Sequence, residues 1–115
     1  MSYSSGAYGT TDHTEGYNTN AKGIGAHSEG YIKIYNGYTT YNGTNYYYGA
    51  NGVGDHAEGS NTVAQSSGST SVPASAHAEG SNTLAISNSA HAEGANSVAY
   101  GEISHAEGCN TVAYG

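Results

Sequence analysis

The sequence predicts an all-β fold, a parallel β-solenoid with 14 residues per coil, because one tetrad recurs along the chain. HAEG, HTEG or HSEG begins at every histidine, and the histidines are 14, 29, 21, 14 and 14 residues apart (His13, His27, His56, His77, His91, His105). Only 10% of the 115 residues are charged and 18 are glycine, whereas about 25% are charged in an ordinary globular domain. Large aliphatic residues are few, so a backbone ladder between neighbouring coils is favoured over a thick hydrophobic core.

Each repeat is expected to contain two short strands joined by turns. Side chains two residues apart lie on the same face of a strand. Val and Tyr therefore share a face in TVAYG, and His and Glu share a face in SHAEG. Glycine and asparagine separate these runs and are typical of turns because they tolerate positive φ. A helix is disfavoured, since no apolar stripe with a 3.6-residue period is present.

The columns of small residues are predicted to face the inside of each coil. The residue after each histidine is Ala, Ser or Thr, and the residue six before it is Ala in all repeats but one, where the alignment places Ser71. Side chains of this size allow two sheets to pack closely, and asparagines in register can form a ladder along one turn. The larger apolar side chains must then lie outside the coil.

Two interruptions of the repeat divide the chain. We expect N-terminal coils at 1–30, a Tyr-rich insert at 31–54 and further coils at 55–115. A segment at 65–75 adds seven residues to one repeat and contains the only proline, Pro73. An insertion of this length is typical of a surface loop at one corner of a coil.

The Tyr-rich insert contains two Asn-Gly dipeptides, which strongly favour two-residue β-hairpins. They separate three runs that we expect to form a β-meander: Tyr31–Tyr35, Tyr38–Tyr41 and Thr44–Tyr48. An irregular coil with a bulge is the alternative, because the spacing of 29 is one more than two repeats. The tyrosines either pack at a subunit contact or form a recognition surface for a sugar or protein. The candidates for recognition are Tyr46, Tyr47 and Tyr48.

The apolar residues outside the coil form a stripe that needs to be buried. An exposed stripe along a solenoid is an interaction surface, and identical chains can cover it by packing around an axis parallel to the stack. The sequence therefore predicts a homotrimer. Its predicted interface consists of Leu84, Ile86, Val98, Tyr100, Val112 and Tyr114.

The histidines and glutamates of the tetrads are predicted to form an exposed ladder. Such residues can bind metal, but zinc ligands usually converge from differently placed elements, whereas this pattern is a translation without a cavity. We therefore expect a structural ladder, with no metal, no cofactor and no catalytic residues. The ladder residues of the later repeats are His56, Glu58, His77, Glu79, His91, Glu93, His105 and Glu107.

The charge of the chain limits its partners. A net charge of −7, with only two lysines, disfavours nucleic acid and anionic membranes as partners. No apolar run reaches transmembrane length, so no membrane insertion is expected. The single cysteine, Cys109, excludes an intrachain disulfide.

The repeat resembles units of known fibrous proteins. The run SVAYGEISHAEGCN resembles the 14-residue SVAIGxxAxAxG unit in the heads of trimeric autotransporter adhesins. The SHAEG pattern is similar to repeats of bacteriophage tail-fibre and appendage proteins. This resemblance covers about residues 6–30 and 55–115, and implies a left-handed trimeric β-roll, without a cofactor, on a virion surface or outside a cell.

Three functions are compatible with this pattern, and none of them is enzymatic. The first is a structural fibre protein, a trimeric β-solenoid of a phage fibre, spike or decoration. The second is a self-assembling extracellular filament subunit that stacks head to tail, because neither end of the sequence carries a capping pattern. The third is an adhesin head module that binds a host glycan or matrix protein.

Overall fold

The computed structural model describes residues 6–7, 11–34, 37–67 and 74–114, and every regular element among them is a β-strand. The strands in chain order are β1 (Gly6–Ala7), β2 (His13–Tyr17), β3 (Asn20–Ala21), β4 (His27–Tyr31), β5 (Tyr38–Tyr41), β6 (Thr44–Tyr47), β7 (Gly49–Ala50), β8 (His56–Ser60), β9 (Val63–Ala64), β10 (His77–Ser81), β11 (Leu84–Ala85), β12 (His91–Ala95), β13 (Val98–Ala99), β14 (His105–Cys109) and β15 (Val112–Ala113).

Thirteen of these strands form two parallel sheets. The five-residue strands that begin at the histidines make a six-stranded sheet in the order β14-β12-β10-β8-β4-β2. The two-residue strands make a seven-stranded sheet in the order β1-β3-β7-β9-β11-β13-β15. Long and short strands alternate along the chain, so each passage through both sheets adds one layer. The prediction of an all-β fold with repeated parallel strands is confirmed.

Neighbouring strands pair residues of the same kind. His77 pairs with His56 on one side and with His91 on the other, and the alanine, glutamate and glycine of each tetrad are matched in the same way. The register also continues across the Tyr-rich insert, where His27 pairs with His56. Both interruptions therefore leave the ladder intact.

The inside of the solenoid is packed with alanine. One buried cluster contains the alanines of the tetrads, of the short strands and of the preceding turns: Ala21, Ala26, Ala50, Ala57, Ala64, Ala76, Ala78, Ala85, Ala90, Ala92, Ala99 and Ala106. The small columns face inward, as the sequence predicts. The alignment, however, places Ser71 in this column. Ser71 lies outside the described residues, and Ala64 pairs there with Ala50 and Ala85.

The turn after five of the six long strands is made by asparagine in a left-handed conformation, and Ile32 takes this position after β4. Asn61, Asn82 and Asn96 have φ values of 55°, 56° and 57°. The N–H of each donates to a carbonyl of the neighbouring layer, as Asn82 does to Ser60 at 2.8 Å. Asparagine adopts this conformation more readily than most residues. The asparagine column thus supplies the positive φ that the sequence predicts for these turns, and the ladder of asparagine side chains stays a prediction.

The Tyr-rich insert contributes a two-stranded hairpin, whereas the sequence predicts three strands. β5 and β6 pair antiparallel, with Tyr38 opposite Tyr47. Of the first predicted strand, Tyr31–Tyr35, Tyr31 ends β4 and residues 32–34 are in no strand, while Tyr35 lies outside the described residues. Tyr31 instead continues the parallel ladder, opposite Tyr17 and Ser60. The hairpin therefore emerges between β4 and β7 at one corner of a coil.

A buried aspartate ties the second interruption to the solenoid. Asp55, 1% exposed, accepts hydrogen bonds from Gly52 N–H, Ser66 N–H, Ser66 Oγ–H and Ala76 N–H at 2.7–2.9 Å. Ser66 and Ala76 lie on either side of the segment 68–73. This segment, which includes Pro73, is outside the described residues. One carboxylate thus holds both ends of the predicted loop.

Candidate functional sites: the histidine–glutamate ladder and the tyrosine-covered stripe

The ladder is the row of tetrad histidines and glutamates on the outer face of the six-stranded sheet. Along β10, Ala78 points into the core and is fully buried, while His77 and Glu79 are half-buried on the opposite face. Strand alternation produces this division, because residues two apart share a face. The full set is His13, Glu15, His27, Glu29, His56, Glu58, His77, Glu79, His91, Glu93, His105 and Glu107.

The imidazole rings of the ladder stack on one another. From His27 to His105 the centroids of neighbouring rings are 4.6–4.8 Å apart, with planes 3–5° from parallel. The first pair differs, because His13 and His27 meet edge to face at 4.8 Å and 89°. The close strand spacing of the sheet imposes this stacking on any in-register column.

Glutamates of the ladder lie between the histidines of two successive layers. Glu58 Oε1 is 4.0 Å from His56 Nε2 of its own layer and 3.3 Å from His77 Nε2 of the next. Glu15 is placed in the same way, 3.7 Å from His13 and 3.8 Å from His27. The result is one alternating row of nitrogen and oxygen atoms.

The row changes the acidity of Glu58. Partial burial raises the pKa of this carboxyl, but the hydrogen bond from His77 and the field of His56 lower it more, and the net pKa lies below its ordinary value. The carboxylate form is therefore favoured in the middle of the ladder.

Three ladder nitrogens that are shielded from solvent make no hydrogen bond to any residue that the structure describes. Nε2 of His27, His56 and His91 is shielded from solvent and makes no hydrogen bond. Their carboxylate neighbours are close, but a separation such as the 3.6 Å between His91 and Glu79 exceeds hydrogen-bonding distance. Shielded polar atoms of this kind are uncommon in folded proteins.

The predicted trimer stripe is partly covered by the chain's own hairpin. Val63, Leu84 and Val98 are 0%, 7% and 7% exposed, beneath Tyr41, Tyr46 and Tyr48 of the insert. Ile86 and Tyr100 pack at the side of this cluster. The stripe points out of the coil as predicted, yet identical chains are not required to bury its middle.

Val63 and Tyr41 are members of this cluster that the sequence pattern does not predict as part of the stripe. Val63 precedes an alanine, as Leu84 and Val98 do. This shared pattern could have placed Val63 in the stripe. No comparable signal marks Tyr41, because its contact with the stripe spans distant parts of the chain.

The C-terminal end of the stripe remains open to solvent. Val112 and Tyr114 are 47% and 64% exposed. The hydroxyls of Tyr114 and Tyr41 are 3.0 Å apart, and this hydrogen bond, together with burial, raises the pKa of Tyr41 to about 12. The hairpin is thus attached to the solenoid by a polar contact at its edge.

The three tyrosines predicted as a recognition surface do not share one face. Tyr46 and Tyr48 are half-buried against the stripe, whereas Tyr47 is 43% exposed on the other side. Lys22 Nζ lies 5.1 Å from the centre of the Tyr47 ring, a cation–π contact. Tyr48 also borders an open groove between the hairpin and the asparagine turns.

That groove has a volume of about 320 Å³. Two of its lining residues, Leu84 and Val98, belong to the stripe, and three are asparagines of the turns. Its lining residues are Thr39, Tyr48, Asn61, Asn82, Leu84, Asn96 and Val98. Aliphatic, aromatic and amide groups are thus combined in one concave surface.

Other features of the chain are less informative. Cys109 is a free, exposed thiol at the end of β14. Within the described residues, no helix has the length and apolar character needed to cross a bilayer. No family model, curated protein or solved structure matches the chain.

Proposed function

We propose that this chain is a non-enzymatic structural protein, a segment of a trimeric β-solenoid fibre carried on a phage virion as a fibre, spike or decoration. Its coils would be left-handed and contain 14 residues each. The observation that supports this proposal best is the in-register pairing of equivalent tetrads through six layers, despite two interruptions. The similarity of the tetrads to phage appendage repeats favours the virion assignment.

The two parallel sheets form a stiff stack of layers, as a structural fibre requires. Five steps of about 4.8 Å between paired strands give a stack roughly 24 Å long. Each step is connected by backbone hydrogen bonds, such as Leu84 N–H to Ser97 C=O at 2.9 Å. The closely packed alanine core resists bending, because its side chains have no rotamers to exchange.

The proposed trimer contact differs from the interface that the sequence predicts. Leu84 and Val98 are already covered, so the contact would use apolar groups that remain exposed. Val112 and Tyr114 provide the solenoid part. Tyr38 and Tyr47, paired on the outer face of the hairpin and 51% and 43% exposed, extend it.

Sedimentation analysis tests this assembly. We expect a discrete species of three times the 11.7 kDa chain mass. Val112→Asp should yield a folded monomer, because a charge would enter an apolar contact. Ile103→Asp is the matched control, since Ile103 is a turn residue 81% exposed, and it should stay trimeric. A monomeric wild type would contradict the proposal, and long rods would indicate end-to-end filaments instead.

Glycan adhesion is a second candidate function, and the groove beside Tyr48 favours it. Amide groups can donate and accept hydrogen bonds from sugar hydroxyls, and a tyrosine ring can pack against an apolar sugar face. Glycan-array binding that Asn82→Gly abolishes would support adhesion. Asn110→Gly changes an equivalent turn that does not line the groove and is the control. Equal binding by both variants would contradict it.

A further inference from the structure

We propose that the ladder is a row of divalent transition-metal sites, each built from two histidines and one glutamate, which together hold three ions per chain. This inference goes beyond the structural role and departs from the expectation that the ladder binds no metal. It rests on the donor atoms, their spacing and the way that neighbouring sites share a histidine.

The donor set is that of a transition-metal site. Within the described residues, five groups each bring two histidine nitrogens and a carboxylate oxygen within 4.8 Å of one another. The glutamates at their centres are Glu15, Glu29, Glu58, Glu79 and Glu93. Two imidazoles and one carboxylate bind Zn²⁺ and leave a coordination position for water. Cu²⁺ and Ni²⁺ also bind imidazole well.

The spacing of these nitrogen and oxygen atoms is close to that of ligands around one metal ion. Eight Nε2–Oε1 pairs are 3.3–4.0 Å apart. The two shortest, His77–Glu58 at 3.3 Å and His105–Glu93 at 3.4 Å, are long hydrogen bonds, since the usual range is about 2.7–3.2 Å. Two ligands that are each about 2.0–2.1 Å from a tetrahedral zinc ion are roughly 3.4 Å apart. Only small shifts are needed to bring these eight nitrogen–oxygen pairs to that separation.

The ladder also contains atoms that an ion would satisfy. Nε2 of His27, His56 and His91 is shielded and makes no hydrogen bond. A neutral imidazole nitrogen in this setting offers its lone pair to an electrophile. The carboxylates, repeated at every layer, repel one another unless cations are placed between them.

The orientation of the histidine rings determines how the ladder must change to bind a metal ion. Rings stacked within 3–5° of parallel do not aim their nitrogens at one point. The two histidines of a site must therefore tilt toward each other. His27, His56 and His91 have room for this, because about a third of each side chain is exposed. His13 and His27 already lie at 89°.

Sharing of histidines sets the number of ions. Each Nε2 has one lone pair and binds one ion, yet His27, for example, belongs to the Glu15 group and to the Glu29 group. Adjacent sites are therefore mutually exclusive. Six histidines taken two at a time give three ions, centred on Glu15, Glu58 and Glu93.

Because filled and skipped sites alternate along the ladder, one glutamate of each kind gives a matched pair of variants. Glu29→Gln removes the carboxylate of a skipped site, so the three filled sites should remain. Glu58→Gln removes the carboxylate of a filled site, and no other choice of non-overlapping groups restores the third ion. We therefore expect three bound ions for Glu29→Gln and two for Glu58→Gln, although the glutamates are similarly exposed.

Calorimetric titration of the full chain with Zn²⁺ at neutral pH, checked by elemental analysis after desalting, tests the proposal. We expect three ions per wild-type chain and a higher melting temperature with zinc, because the ligand binds the folded state. Glu102→Gln, outside the ladder, should change neither result. Far-UV circular dichroism checks that each variant is folded. No saturable binding, one ion per histidine, or equal stoichiometry for Glu29→Gln and Glu58→Gln would overturn the proposal.

Discussion

Replacing Gly94 with alanine should disrupt the stacking of the last two layers. Gly94 has a φ of +106°, and a Cβ built there would lie 2.1 Å from the carbonyl oxygen of Gly108. Ordinary contacts begin at 3.4 Å, and the obstructing atom belongs to the backbone. The layer above must therefore move away from the layer below.

Gly108→Ala is the control that separates this clash from backbone strain. Gly108 has a φ of +112°, but a Cβ there meets only the Thr111 side chain at 3.4 Å. Both variants incur about 1–3 kcal/mol for an unfavourable φ. Gly94→Ala should also lose roughly two ladder hydrogen bonds, or about 1–3 kcal/mol more. We expect total losses of about 2–6 kcal/mol for Gly94→Ala and about 1–3 kcal/mol for Gly108→Ala.

Urea unfolding followed by far-UV circular dichroism measures this difference. In thermal unfolding, 1 kcal/mol corresponds to a shift of about 4–8 °C in Tm for a domain slightly smaller than this one. Equal losses of stability for Gly94→Ala and Gly108→Ala would refute the reasoning, because the two sites differ mainly in the layer that covers Gly94.

Asp55→Ala should lower the free energy of unfolding by about 3 kcal/mol or more, because it leaves buried donors unpaired, and a loss below about 1 kcal/mol in urea unfolding would contradict that role. Raising the pH from about 10 to about 12 should reduce stability, since the unfolded chain releases the Tyr41 proton first, at the ordinary tyrosine pKa of 10.0. Tyr41→Phe should remove that part of the decline in melting temperature, and an unchanged decline would argue against the contact with Tyr114. Val63→Ala should cost about 1–3 kcal/mol and Ile103→Ala, at a turn residue 81% exposed, less than about 0.5 kcal/mol, whereas equal costs in urea unfolding would show that the hairpin does not cover the stripe.

Most of the solenoid was predictable because its repeat is local. Spacing of the tetrads implied the pairing of His77 with His91, and side-chain size placed Ala78 inside. The Asn42-Gly43 turn indicated the hairpin between β5 and β6. The first strand of the predicted meander was wrong because the parallel ladder, with Tyr17 and Ser60 as partners, satisfies Tyr31 better than a local strand would.

The candidate sites were predictable only in part. Residues of the ladder follow from strand alternation, but the 3.3 Å and 4.0 Å separations around Glu58 depend on side-chain conformations that a repeat does not specify. Asp55 illustrates the same limit. It occupies a position that most other repeats fill with alanine or serine, and its hydrogen-bond donors come from both sides of an insertion.

By itself, the sequence determined the direction of each side chain, the small size of the core and the order of the layers, because strand periodicity and residue volume act over a few neighbouring residues. Only the tertiary structure decided what covers the outside. The hairpin at 38–47 folds back over Val63, Leu84 and Val98, which are far from it along the chain. Contacts of this kind depend on the relative placement of the hairpin and the coils, and neither periodicity nor composition encodes that placement.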